Sequence, residues 1–278
     1  MFLNKTGKQA IPVAGFVCLM MLFFSGCDLK YSSGSTGPQL VWSDEFHGSE
    51  IDTDRWQVYA GDGCPGLCGF GNNELQYYAD RPENVKVEGG KLIITALRDS
   101  YKTRDYSSAK LLTQGIEDWK YGRIEVMAKL PSGRGTWPAI WMLPESNKYG
   151  NWPRSGEIDI MEHVGHTPGM VYGTVHTQSF NHMKRTEKNG SVLVADAAEN
   201  FHLYAIEWRE DKIDWFVDDQ LYHTFKNTGK NADDWPFDQP FHLILNLAVG
   251  GSWGGKRGVD DSIWPQSMEV DYVRVYTF

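Results

Sequence analysis

From Lys91 onward, apolar and polar positions alternate with a period of two in one segment after another. Lys91 to Leu97 follows a Gly-Gly pair, and Gly122 to Lys129 alternates cleanly. Val171 to His176 and His202 to Trp208 repeat the pattern, and Lys212 to Val217 and Leu221 to Phe225 follow across turns at Arg209-Glu210-Asp211 and Asp218-Asp219. His242 to Val249 and Glu269 to Tyr276 complete the series. Period-two alternation between turn residues predicts half-buried strands and hairpins. Helical periodicity is absent, apart from one short turn over Ala232 to Asp238. Many short strands over this length predict an all-β domain of two packed antiparallel sheets.

One strand departs from the pattern. Glu157-Ile158-Asp159-Ile160-Met161-Glu162 holds three carboxylates among apolar neighbours. Strict alternation puts Glu157, Asp159 and Met161 on one face and Glu162 on the other. The three acids share a face only if the strand carries an extra residue, a β-bulge near Ile160-Met161. Crowded like charges weaken a sheet and spread the acids' pKa values apart. One acid can then stay protonated while another stays ionised, which is what glycoside hydrolysis requires. A solvated acidic face is the plainer reading, but Ile158, Ile160 and Met161 have the character of core.

Composition adds two points. The net charge is −9, which argues against nucleic acid or an anionic membrane surface as partner. The 11 Trp, 13 Tyr and 13 Phe exceed what one sandwich core needs, leaving rings to stack on the apolar faces of sugars.

The termini and cysteines set the compartment. Lys5 and Lys8 precede an apolar run, Ala10 to Phe24, that is short for a membrane span. Phe24-Ser25-Gly26-Cys27 resembles a bacterial lipobox, with Phe24 in place of the usual Leu. Residues 1–27 therefore read as a lipoprotein-type export signal with lipidation at Cys27, or as a plain secretion signal. Residues 28–38 read as a flexible tether and 39–278 as one domain. In an oxidising compartment Cys64 and Cys68, across Pro65-Gly66, are expected to form a disulfide. A metal site needs more ligands than that stretch offers.

Several motifs together resemble glycoside hydrolase family 16. Gly156 to His163 is similar to its catalytic signature, with the extra residue, Met161, of the laminarinase-like members; lichenase-like members use a shorter E-x-D-x-E strand. Gly71 to Tyr78, Thr136 to Leu143, Trp152 to Gly156, Gly250 to Gly255 and Asp271 to Tyr276 resemble bacterial laminarinases in the same order, over nearly all of residues 40–278. The resemblance implies a concanavalin-like jelly-roll β-sandwich whose concave sheet carries a cleft for an extended β-glucan. It implies a retaining endo-β-1,3-glucanase with Glu157 as nucleophile, Glu162 as general acid/base and Asp159 tuning the pair, sharing a proton with Glu157. Retention needs the two carboxyl groups about 5–5.5 Å apart. The charge of Glu157 would raise the pKa of Glu162.

The resemblance also implies substrate contacts from Trp137, Trp141, Trp152, His176, Asn72 and Trp253. Trp141 reads equally as core, His176 as a structural histidine, and Asn72 and Trp253 as turn residues. His163 would face away from the acids. A structural Ca²⁺ is implied at Glu45, the Gly90 carbonyl and Asp271, since oxygen donors suit that hard cation. No organic cofactor is expected, and the chain is expected to be a monomer. Competing readings are a mixed-linkage β-1,3-1,4-glucanase, an agar-type galactanase of the same family, or a non-catalytic β-glucan-binding protein. The three acids speak against the last, and the scarcity of Lys and Arg around the signature speaks against a sulfated galactan.

Overall fold

Seventeen strands and one short 3-10 helix, Cys68–Gly71, make up the regular structure of residues 37–278, the part of the chain that the computed structural model describes. The leader over 1–27 with its Cys27, and residues 28–36 of the tether, lie outside the described residues. The strands form two sheets, the expected all-β jelly-roll sandwich. The ten-stranded sheet runs in the order Gln220–Lys226, Lys212–Val217, His202–Trp208, Gly122–Lys129, Gln266–Thr277, Lys91–Arg98, Tyr106–Ser108 and Gln76–Tyr78. Gln39–Asp44 and Val85–Glu88 pair onto its middle strands. The seven-stranded sheet runs Lys188–Leu193, Met170–His176, Glu157–His163, Thr136–Pro144, Phe241–Val249, Lys110–Leu112 and Gln57–Val58. Pairing is antiparallel except between Gln76–Tyr78 and Tyr106–Ser108, a short parallel contact at one edge. Ala232 to Asp238 makes a turn closed on the Asn231 carbonyl, not a helix.

Alternation explains the core. Leu92, Ile94 and Ala96 are fully buried, and Ile124, Val126 and Ala128 repeat the period on their strand. From the other sheet come Ile140, Met142, Ile158, Val175, Leu243, Leu245 and Leu247. Withdrawing each large aliphatic side chain from water contributes about 1.5–3 kcal/mol. The strand Phe241–Val249 is buried at all nine positions. It pairs on both sides, and on its second face Asn246 meets Trp141 and Tyr78 while His242 meets Glu145.

The acidic strand is bulged. Opposite Thr136–Pro144, Asp159 faces Trp141 and Met161 faces Ile140, so Ile160 has no partner. Opposite Met170–His176, Asp159 faces Thr174 and Glu162 faces Tyr172, so Ile160 and Met161 share Gly173. The extra residue is thus Ile160 on one side and the Ile160-Met161 pair on the other, not Met161 alone. Both side chains are buried. Burying two consecutive apolar residues shifts the alternation by one and returns Glu162 to the face of Glu157 and Asp159.

The other sheet holds this irregularity in place. The Trp215 indole N–H donates to the Asp159 carbonyl at 2.8 Å, reaching from one sheet to the bulge of the other. Trp215 is fully buried. A Cβ at Gly173 would come within 2.3 Å of Trp215 Cδ1 and 2.6 Å of the Tyr222 hydroxyl. Glycine at 173 is therefore the condition for the indole to reach the bulge. Replacing Trp215 by Phe leaves a buried carbonyl unpaired, at a cost of about 1–3 kcal/mol. Trp215→Phe is expected to lower Tm by several degrees, and Gly173→Ala by more; thermal unfolding followed by near-ultraviolet circular dichroism measures both.

Candidate active site

The cross-strand register lays the acids out in rows. Glu157 is directly opposite His176. Asp159 lies between Thr174 and Trp141. Glu162 lies between Tyr172 and Ala139, and the row continues through Asn246 to Lys110. Residues directly opposite one another share a face. Glu157, Asp159, Glu162, Trp141, His176 and Lys110 therefore stand on the outer face of the seven-stranded sheet, away from the core.

Each acid has its own environment. Glu157 is half-buried, and its Oε2 accepts the Trp152 indole N–H at 2.6 Å. Asp159 is 2% exposed. Its Oδ2 lies 3.4 Å from His176 Nε2 and accepts no hydrogen bond. Burial drives the Asp159 pKa well above the carboxylate range, and the charges of Glu157 and Glu162 and a hydrogen bond with Glu157 push it the same way. Glu162 accepts the Trp137 indole N–H at 3.0 Å. Its pKa is pushed up to about 8, first by burial and then by the charges of Glu157 and Glu74, against the lowering pull of Trp137. Loss of water is thus the larger cause, and the charge of Glu157, the cause expected from the sequence, acts in the same direction but is secondary.

The aromatic residues fall into place around the acids. Trp137 meets Trp253 edge to face at 5.6 Å, and Trp253 meets Tyr172 at 5.1 Å. Trp152 is 37% exposed and packs on His182 at 5.2 Å. Trp141 is half-buried on the outer face while its neighbours Ile140 and Met142 are core. Its indole N–H donates to Asn246 Oδ1 at 2.6 Å. His176 is buried between Asp159 and Glu157. Asn72 is tied to the glycine loop, its carbonyl accepting Ser252 N–H at 2.6 Å, and its side chain hydrogen-bonds Glu74. His163 faces away, its Nε2 accepting Gly169 N–H at 3.2 Å.

Two charged residues of this face were not singled out from the sequence. Glu74 is buried, accepts Gln76 Nε2 at 2.6 Å and Tyr78 Oη at 3.3 Å, and has its pKa raised by burial. Lys110 holds its ammonium 5.0 Å from the Trp141 ring, 5.2 Å from Phe70 and 5.7 Å from Tyr59. Burial pushes its pKa down to about 8, against the attraction of Glu74 and Glu157. A charged residue inside an apolar triplet, Lys110-Leu111-Leu112, was the signal available. A separate depression of about 890 Å³, lined by Glu50, Ile51, Arg81 and Gln114 among others, includes none of the site residues named above.

Elsewhere, Cys64 and Cys68 are joined as a disulfide. The register also gathers the residues expected to hold calcium. Asp44 pairs with Val273 and Leu92 with Val270, which brings Glu45 and Gly90 alongside Asp271-Tyr272. However, Arg274 donates to both Glu45 oxygens, at 2.9 and 2.8 Å, and holds that carboxyl below its usual pKa. As arranged, the Glu45 carboxylate is engaged by Arg274 and would have to leave it to ligate a dication.

The sequence model of the glycosyl hydrolases family 16 matches residues 73–274. A beta-glucanase of Rhodothermus marinus is 55% identical over 263 residues, spanning 90% of this chain and 90% of its own. A glucan endo-1,3-beta-glucosidase of Cryptopygus antarcticus is 39% identical over 256 residues, spanning 86% of this chain and 92% of its own. The X-ray structure of the laminarinase from Rhodothermus marinus superposes with a TM-score of 0.83 at 53% identity, covering 86% of this chain and 97% of that one.

The raised pKa of Glu162 has a consequence for stability. Between the ordinary value of 4.5 and about 8, the folded chain keeps a proton that the unfolded chain releases. Its contribution is full below about 4.5 and is lost as pH rises through about 8. Asp159 acts in the same direction. Urea unfolding at pH 5, 7 and 9 is expected to show wild type losing stability relative to Glu162→Gln as pH rises. Parallel curves would refute the shift.

Proposed function

The chain belongs to glycosyl hydrolase family 16, and from that premise we propose that it is a retaining, endo-acting β-glucanase that cleaves β-1,3-glucosidic bonds of laminarin-type glucan. One observation carries the mechanism: the bulge sets Glu157 and Glu162 on one face while giving them opposite environments. Glu157 is held through one oxygen by Trp152 and keeps the other for attack. Glu162, with a pKa of about 8, carries its proton at neutral pH.

In the first step Glu157 attacks the anomeric carbon while Glu162 delivers its proton to the departing glycosidic oxygen. A glycosyl ester on Glu157 results, and one sugar chain leaves with a new hydroxyl. In the second step Glu162, now a carboxylate, takes a proton from water as the oxygen of that water displaces Glu157 from the anomeric carbon. Configuration is retained, and both glutamates return to their starting states. Asp159, buried and protonated beside Glu157, adjusts the charge of the nucleophile through that shared hydrogen bond. Trp137 positions Glu162, and Trp137, Trp141, Trp152 and Trp253 supply stacking surfaces for glucosyl rings, with Asn72 and His176 as polar contacts. The linkage is supported by the relatives named above, a beta-glucanase, a glucan endo-1,3-beta-glucosidase and a laminarinase.

Export follows from the leader pattern of residues 1–27, with a lipid on Cys27 as its anchor.

Reducing-end release on laminarin, lichenan and agarose is expected to be highest on laminarin; no release from laminarin would overturn the assignment. Glu162→Ala is expected to lose roughly 10²–10⁴-fold in rate on laminarin. Glu157→Ala is expected to be inactive until azide is added, which attacks from the vacated side and yields the α-glycosyl azide. Alkaline loss of kcat/KM is expected near pH 8, where Glu162 gives up its proton. Trp137→Phe removes a hydrogen bond that lowers that pKa, so its alkaline limb moves to higher pH.

A further inference from the structure

Glu157, Asp159 and His176 bring one ligand atom each to a common point on the cleft face, all within 4.8 Å of one another. Among the described residues this is the one cluster of three or more such side chains. We propose that it is an inhibitory site for a zinc-class transition-metal dication, which binds the resting enzyme and occupies the attacking carboxylate. The inhibition rests on the role of Glu157 proposed above; the binding does not.

The geometry is close to what such an ion takes. His176 Nε2 is 3.4 Å from Asp159 Oδ2 and 3.9 Å from Glu157 Oε1. A tetrahedral ion with bonds of about 2.0–2.2 Å holds its ligands roughly 3.3–3.5 Å apart. The Asp159–His176 edge already matches, the Glu157–His176 edge has to close by about half an ångström, and the Glu157–Asp159 edge lies within 4.8 Å. The ligands sit on two paired strands with Glu157 directly opposite His176, so the backbone presents them without rearrangement. The second, independent indication is Asp159 Oδ2, a carboxylate oxygen buried without a hydrogen-bond donor and aimed at the imidazole. Glu157 Oε2 is held by Trp152, which leaves Oε1 toward the gap. Glu157 is half-buried, so a water can take the fourth position from its side.

The donor set chooses the metal. One imidazole with two carboxylates, Asp159 releasing its proton to water as the ion binds, suits zinc or copper, while calcium and magnesium prefer oxygen alone. The site also lacks the support of a dedicated centre. His176 Nδ1 is buried without a partner, whereas ligating histidines normally donate that N–H to a carbonyl or carboxylate. Affinity is therefore expected about 10–100-fold below that of a fully supported site, which makes occupancy reversible.

Isothermal titration of Zn²⁺ into the chelator-stripped full chain is expected to give one site per chain, with Ca²⁺ and Mg²⁺ giving no comparable heat. His176→Asn and Asp159→Asn, each shown to be folded by circular dichroism, are expected to weaken that binding at least tenfold, and His182→Asn to leave it unchanged. Laminarin oligosaccharides are expected to raise the apparent Kd for zinc in proportion to their concentration. At laminarin concentrations well below KM, hydrolysis by wild type is expected to fall with a half-inhibitory zinc concentration equal to the calorimetric Kd. No stoichiometric binding, binding that survives in His176→Asn, or full occupancy without loss of hydrolysis would overturn the proposal. If zinc binds as described and laminarin is not a substrate, the site stands and the assigned activity fails.

Discussion

One buried hydrogen bond between the two sheets, from the Trp215 indole to the Asp159 carbonyl, sits where every other feature of the acidic face has to be accommodated. A strand that inserts one residue loses ladder pairing there and leaves backbone polar groups to be satisfied elsewhere. Here the partner comes from the opposite sheet, through the core. That bond requires the indole to pass the strand Met170–His176, which it does at Gly173, where no side chain blocks it. The bulge, the glycine and the tryptophan are three parts of one device. Without it, Glu162 would turn inward and Met161 outward, exchanging a buried apolar group for a buried acid.

The second organising constraint is electrostatic. The outer face of the seven-stranded sheet gathers Glu74, Glu157, Asp159 and Glu162, and burial raises the pKa of three of them. Sheet stability and chemistry pull in opposite directions here: crowding the acids costs folding energy, and the same crowding prepares a proton donor at neutral pH. Indole N–H groups offset part of the cost by donating to Glu157 and Glu162. Lys110 supplies the nearby positive charge from the far end of the Glu162 row, its pKa lowered to about 8 by burial among aromatic rings.

How much of this was legible depended on sequence distance. The strands that alternate over six or more residues, such as Gly122–Lys129 and His202–Trp208, were readable at almost their observed limits. Short strands such as Gln57–Val58 and Lys110–Leu112 were not, because two or three residues carry no period. The acidic strand was legible because its three acids are neighbours in the chain, and their conflict with simple alternation demanded a bulge. Even there the extra residue was placed at Met161, while pairing with Thr136–Pro144 leaves out Ile160. Glu74 and Lys110 escaped notice because each reaches the site from a strand or loop with no acidic neighbour to mark it.

Local order along the chain therefore determined the fold class, the acidic strand and the need for an irregularity in it. Those properties follow from period and charge within a few residues. Tertiary structure alone decided where the irregularity falls and which groups stabilise it, since Trp215, Gly173 and Asp159 meet only when the sheets pack. It also decided the proton balance of the cleft. A carboxyl group's pKa is set by how much water it loses and which charges close around it; around Glu162 the charge of Glu157 is local, but Trp137 and Glu74 reach it from segments remote in sequence.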